Sequence, residues 1–195
     1  METLLKFPVL TTKRLNLVEI QQEHLIDIFS LFGDDKVTKF YNIKTLQKPE
    51  DGQVYLDWFQ KRFKEQAGIR WGIQLKNKEG IIGTIGYNNF SKKHRANLGY
   101  DLQSIYWNKG YMTEAIEAVV DFGFNDLNIN RVEAEVMIGN IQSEKLLLKL
   151  GFQKEGCLRD WMYWDNKHFD MAMFSLLKRD WILRNSDVNL SNNIK

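Results

Sequence analysis

The sequence predicts a mixed α/β domain, and three observations carry that prediction. Three strand-like runs follow one another in the middle of the chain, at 70–75, 81–89 and 96–102. Amphipathic helical stripes stand before and after this meander, and a Gly-containing loop behind the third run opens directly into one of them. Strands bunched in the middle, rather than alternating strictly with helices, mark a mixed fold and not a βαβ series.

Each element can be justified in turn. Residues 14–20 alternate polar and apolar side chains, as a strand with one buried face does. Leu25, Ile28, Phe29 and Phe32 fall at helical spacing and the stripe ends near Gly33. A second helix follows Pro49, with Tyr55, Trp58, Phe59 and Arg62/Phe63 along one side. The first two central runs are joined by Lys76-Asn77-Lys78-Glu79-Gly80, whose Asn and Gly suit a hairpin turn. Gly83 and Gly86 lie inside a strand pattern and mark close backbone packing. Ala115, Ala118, Val119 and Phe122 give a third helix, followed by a strand at 132–138. Ser143, Leu146, Leu147 and Leu150 give a fourth, which stops at Gly151. Strands at 153–161 and 168–177 complete a single domain over 1–184, because no Gly/Ser-rich linker divides the chain. The polar, Asn-rich 185–195 reads as a disordered tail.

Composition removes several function classes. A chain of 195 residues can bury a sizeable core, and 44% hydrophobic with 27% charged residues is ordinary for a soluble globular protein. Net charge is +2, from 27 basic and 25 acidic residues mixed along the chain, so no basic face for nucleic acid is expected. No signal peptide or membrane span is expected, since no cationic start leads a long apolar run. The single Cys157 suits a reducing compartment, hence a cytoplasmic location. Flanked by Gly156 and Leu158, it reads as a packed strand residue and not as a nucleophile. With His24, His94 and His168 scattered, no metal site is expected.

The stretch with chemistry in it runs Leu98-Gly99-Tyr100-Asp101-Leu102, then Trp107-Asn108-Lys109-Gly110-Tyr111-Met112-Thr113-Glu114-Ala115. A helix that starts straight out of such a loop offers unpaired N–H groups and its positive dipole end, which favour a phosphate. Gly110 lets the backbone approach a pyrophosphate closely, and Lys109 adds a point charge. The alternative is an ordinary helix start with a Gly in its loop. Neither the P-loop spacing nor Gly-x-Gly-x-x-Gly is present.

The run from Trp107 to Ala115 resembles the Trp-Gly-Lys-Gly-Tyr-Ala-Thr-Glu-Ala signature of RimJ/RimL-like enzymes of the GNAT acetyltransferase superfamily. Further along, Asn140-Ile141-Gln142-Ser143, Leu150-Gly151-Phe152 and Glu155-Gly156 resemble that family's Asn-x-x-Ser…Leu-Gly-Phe…Glu-Gly element. Leu10 to Leu15 looks like its first strand, and Asp170 with Phe174 to Leu177 like its last, so the likeness covers roughly residues 8 to 182. It implies the GNAT fold: a central, mostly antiparallel sheet of six to seven strands, splayed at the cofactor site and flanked by about four helices. Acetyl-CoA is the implied cofactor. Leu102 and Gln103 would meet its pantetheine amides, Asn140 with Ser143 the same arm, and Trp107, Asn108, Lys109, Gly110, Tyr111, Met112 and Thr113 its pyrophosphate. Two positions depart from the pattern, Asn108 where the family has Gly and Met112 where it has a small residue. Binding is still expected, because the contacts there are mostly main-chain N–H groups.

The implied reaction is direct attack of a neutral amine on the thioester. An α-amine of pKa about 7.8 is roughly one-third neutral at about pH 7.5, against about one in a thousand for lysine. Glu135, five residues before Asn140, matches the proposed base of RimI-type enzymes, with Asp160 and Asp165 as weaker candidates. The RimL-type base position is occupied by Met162, and the position of the usual acid tyrosine by Leu147. Ser143 is the substitute acid, or else a helix-start serine satisfying backbone N–H groups. Phe40, Tyr41, Trp58, Trp161, Tyr163 and Trp164 are expected to shape the acceptor side. The implied acceptor is a protein N-terminus, possible ribosomal substrates included. A small amine or a non-catalytic acyl-CoA-binding role are the alternatives. Dimerisation is common among relatives, so a homodimer is compatible with the likeness.

Overall fold

The computed structural model describes residue 4 and residues 6–184, so the tail expected at 185–195 lies outside the described residues. By contact density the chain divides into two units, Met1–Phe90 with Leu98–Val120, and Ser91–Asn97 with Asp121–Lys195.

The first unit starts with β1 (Leu10–Thr11), β2 (Leu15–Glu19), α1 (Leu25–Phe32), the short α2 (Asp35–Thr38) and α3 (Gln53–Lys64). It continues through β3 (Ile69–Leu75) and β4 (Gly83–Ser91), which leads into the other unit at its last residue. Antiparallel ladders join β1 to β2, β2 to β3 and β3 to β4, with Leu17 opposite Ile73 and Trp71 opposite Ile85. Ile20, Ile28, Leu31, Phe32, Leu56, Phe59 and Ile81 form one apolar cluster. The stripe of α3 therefore runs through Leu56 and Phe59, and Trp58 stands 43% exposed. Along the side read through Tyr55, Trp58 and Phe59, Tyr55 and Phe59 pack on this cluster and Trp58 stays open.

The close packing read from Gly83 and Gly86 is present. A Cβ on Gly86 would lie 2.0 Å from the Ile69 carbonyl oxygen, and one on Gly83 2.3 Å from that of Asp101.

The second unit holds the start of β5 (Arg95–Leu102), the end of α4 (Tyr111–Asn125), β6 (Arg131–Met137), α5 (Ile141–Lys149), β7 (Gln153–Trp164), β8 (Lys167–Leu177) and a last helix, α6, at 178–184. Its β5–β6 ladder is parallel and takes in Arg95–Asn97 against Arg131–Glu133. The β6–β8 and β7–β8 ladders are antiparallel, with Glu135 opposite Met173. β7 is the outer strand of this set, and Cys157 on it is exposed. The expectation of a packed cysteine is corrected: an apolar-flanked strand is covered only if other strands or helices lie over it.

Among the described residues there are eight strands and six α-helices, against six to seven and about four expected. The additions are short: the two-residue β1, the four-residue α2 and α6 are below the length at which periodicity shows.

Candidate functional site

The loop before α4 belongs to the first unit and is built around Trp107. Its indole N–H donates to the Leu102 carbonyl at 2.7 Å, folding the end of β5 and the 3₁₀ turn Ser104–Tyr106 together, while Gln103 N–H donates to Ile82 O at 3.0 Å. Asn108 and Gly110 both take the left-handed conformation, at φ 60° and 76°. Asparagine is among the few non-glycine residues that adopt it readily, so Asn108 keeps the loop shape that a glycine would give. Met112, 8% exposed, is turned into the protein and away from the loop surface. The first hydrogen bond of the helix runs from Glu114 N–H to Gly110 O. The amides of Tyr111, Met112 and Thr113 precede it and are first-turn donors at the positive end of a 15-residue helix.

A cage of side chains from the start of the chain fixes this helix end. Arg14 Nε donates to Glu114 Oε2 at 2.6 Å, its Nη1 to Lys109 O at 2.9 Å, and its guanidinium lies 4.6 Å from the Tyr111 ring centre. Thr12 Oγ1 and the Arg14 amide both donate to Glu114 Oε1, at 2.5 and 2.7 Å. Partial burial opposes ionisation of Glu114, but the Thr12 hydroxyl and the two Arg14 donors outweigh it and hold the carboxyl below its ordinary value. The negative charge at the helix start is thereby compensated by Arg14. Lys78 donates to Tyr106 O–H at 2.6 Å, and the Lys78 and Lys109 ammonium groups each lie 5.3 Å from the Tyr106 ring centre.

Behind β5 the same unit holds a group of polar residues that the sequence reading did not anticipate. Arg70 and Asp101 form a buried ion pair, with the Arg70 Nε donating to Thr84 Oγ1 at 3.0 Å and its Nη1 to Asn88 Oδ1 at 3.3 Å. Burial pushes the Asp101 carboxyl up, against the pull of Arg70 and Thr84. Tyr41, stacked on Phe32 at 6.0 Å, has its phenol pushed well above the ordinary value, first by burial and then by the Asp101 charge. The available signal was a single charge inside each of two apolar strand runs, Arg70 and Asp101, of opposite sign. Phe40 is half-buried with Lys39 over its ring at 5.2 Å.

In the second unit Asn140 caps α5, its Oδ1 accepting from Ser143 N–H at 3.2 Å. The capping role open to Ser143 thus belongs to Asn140. Leu147 is fully buried, so the position of the usual acid tyrosine is a core position here. Glu135 is half-buried on β6; Asn97 Nδ2 donates to its Oε1 at 3.3 Å and Trp161 Nε1 to its Oε2 at 3.1 Å. Of the weaker base candidates, Asp165 sits with Asn166 in the β7–β8 turn at φ 48° and 57°, and Asp160 is exposed at φ 50°. Tyr163 is exposed, with its hydroxyl donating to Asn166 Oδ1 at 3.1 Å; Trp164 and Met162 are half-buried.

Residues 14–153 match the model of the acetyltransferase (GNAT) domain. The chain is 38% identical over 173 residues to the uncharacterized N-acetyltransferase YoaA of Bacillus subtilis (strain 168), covering 88% of this chain and 98% of that one. It is 29% identical over 135 residues to the [ribosomal protein uS5]-alanine N-acetyltransferase of Escherichia coli (strain K12), covering 68% and 70% of the two chains. Its fold is that of the ribosomal L7/L12 α-N-protein acetyltransferase RimL, solved in complex with coenzyme A: TM-score 0.76 at 16% identity, covering 87% of this chain and 98% of that one.

Proposed function

Because the chain belongs to the GNAT acetyltransferase family, in its RimJ/RimL-like branch, we propose that it acetylates the N-terminal α-amine of a protein, a ribosomal protein among the candidates. It is an acetyltransferase, and the acetyl donor of its family is acetyl-CoA, which carries the group as a thioester. The observation that carries the reading is the start of α4: Gly110 at φ 76° with the first-turn amides of Tyr111, Met112 and Thr113 behind it. That cradle suits a pyrophosphate, since its donors are main-chain and its one acidic side chain, Glu114, is taken up by Arg14 and Thr12.

Within a single functional domain over 1–184, Trp107, Asn108, Lys109, Gly110, Tyr111, Met112 and Thr113 are assigned to the pyrophosphate. Leu102, Gln103, Asn140 and Ser143 are assigned to the pantetheine arm. In the transfer step the C–N bond forms as the C–S bond breaks. Glu135 takes the proton from the amine nitrogen, the Ser143 hydroxyl gives one to the departing sulfur, and exchange with solvent returns a proton to Ser143 and removes the one on Glu135. Phe40, Tyr41, Trp58, Trp161, Tyr163 and Trp164 border the acceptor. An α-amine suits this arrangement because it needs little help to be neutral: the gap of about 2.6 pKa units to lysine is worth about 3.5 kcal/mol. The 29% identity to the uS5-alanine enzyme over two thirds of both chains supports a protein N-terminus. A ribosomal acceptor places the protein in the cytoplasm.

Calorimetric titration with acetyl-CoA tests the cofactor cradle. Wild type should bind, and Gly110→Trp should lose at least about a hundredfold in affinity, since a bulky side chain at a left-handed position next to Arg14 both strains and fills the loop. Turnover is then compared among a peptide with a free N-terminal alanine, the same peptide blocked at its N-terminus but carrying lysine, and spermidine. Preference for the first supports the reading; preference for spermidine replaces it with a small-amine enzyme.

A further inference from the structure

We propose that Trp161 and Asn97 are positioning residues for Glu135, and that the bulge in β7 aims the Trp161 indole at that carboxylate. The inference rests on Glu135 being the base assigned above.

The argument begins with strand order. β8 lies between β6 and β7, and two strand spacings of about 4.8 Å separate the outer pair. A regularly pleated β7 residue faces its β8 neighbour first, and only a long side chain aimed across it reaches a carboxylate on β6. The register is broken at this place. Leu158 pairs with Met171 and Met162 with Phe169, so β7 spends four residue steps where β8 spends two. The extra residues bulge out of the ladder, and a bulge re-aims the side chains next to it.

Two features hold the bulge in place. Asp160 takes φ 50°, a conformation that costs an aspartate some free energy, and its N–H is taken by Asp170 Oδ1 at 2.9 Å. The next residue is Trp161. The residue is 56% exposed, yet its one polar side-chain atom lands on Glu135 Oε2 at 3.1 Å. An exposed indole N–H could be satisfied by water, so nothing in the burial of Trp161 demands this partner. Asn97 supplies the other half, with Nδ2 on Oε1 at 3.3 Å.

The chemistry of the two partners fits a base. Each carboxylate oxygen takes one donor, which fixes the plane of the group, and each keeps further acceptor capacity for an incoming amine proton. Both donors are neutral. An arginine in either place would set a full positive charge against the carboxylate, whereas an amide and an indole orient it without one.

The test is a double-mutant cycle on the whole protein, with acetyl-CoA as donor and both a free N-terminal alanine peptide and spermidine as acceptors. Glu135→Gln should lower kcat about a hundredfold. Trp161→Phe keeps a ring and removes the donor; it should lower kcat about tenfold and leave acetyl-CoA affinity unchanged. In the Glu135→Gln background the same change should alter kcat by less than about twofold, because a residue acting through Glu135 has nothing left to position. Asp170→Ala, which removes the acceptor that anchors the bulge, should reproduce part of the Trp161→Phe loss. Multiplying losses, or a Trp161→Phe effect confined to KM, would overturn the positioning role and leave Trp161 as acceptor wall. Wild-type kcat in Glu135→Gln, or no turnover of either acceptor, would instead remove the proposed base and the inference with it.

Discussion

The two units bury their main charge clusters to different depths. In the first, Arg70 and Asp101 are sealed, with side chains 4% and 5% exposed, and Arg14 reaches 100 residues along the chain to Glu114 at the start of α4. In the second, the larger network runs from buried Glu133 out to exposed Glu155: Arg131 grips Glu155 with both terminal nitrogens at 2.7 and 2.5 Å and Glu133 with its Nε at 2.7 Å. Glu135, on the same strand as Glu133, is held there by the neutral donors Asn97 and Trp161. The Arg14–Glu114 pair thus stands at the start of α4, beside the amides proposed to hold a pyrophosphate. Neutral partners stand beside Glu135, the carboxylate proposed as the base. The sealed pair and the Arg131 network should also differ in what they contribute to stability.

The largest effect should come from the sealed pair. Arg70→Met leaves the Asp101 carboxylate buried without its cation, and loss of one partner of a buried pair costs about 3–5 kcal/mol. Chemical denaturation should show that loss, and Arg70→Met/Asp101→Leu should recover most of it, because an apolar pair needs no compensation. A cost below about 1 kcal/mol for the single change would mean that water reaches Asp101, and the contrast between the units would collapse.

An intermediate effect is expected at Arg14. Arg14→Ala removes the donors to Glu114 and Lys109 O and the cover over Tyr111, so acetyl-CoA affinity should fall about tenfold and stability by about 1 kcal/mol. Unchanged affinity would mean that the α4 start holds its shape without the cage. The loop itself was legible from Trp107 to Ala115, because a left-handed Gly before a helix is a local pattern. So were the strands around Leu15, Ile73 and Ile85, whose pattern repeats with the pleat. The cage was not, since Arg14 and Glu114 meet only once β2 and α4 are both placed. For the same reason Trp161 was readable as an aromatic beside a turn but not as a partner of Glu135: a bulge is a mismatch between two strands, and neither strand shows it alone. Cys157 failed at the same level, exposure being decided by strand order.

The smallest effect belongs to the Arg131 network and concerns acid. The Arg131 guanidinium first, and then the Ser175 hydroxyl, hold the Glu155 carboxyl at about 2, below its ordinary 4.5. The folded state therefore favours the ionised form. The resulting stability is present in full above about pH 4.5, where the unfolded carboxyl is also ionised, and is lost as pH falls towards about 2. Glu155 is 42% exposed, so solvent screens the pair and the contribution should stay under about 1 kcal/mol. Glu155→Gln cannot titrate, and its stability should fall less steeply than that of wild type between about pH 5 and 2 in urea melts at fixed salt. Parallel curves would show that Arg131 is satisfied by Glu133 alone. A loss from Glu155→Gln at pH 7 as large as that from Arg70→Met would show that burial does not set the worth of an ion pair in this protein.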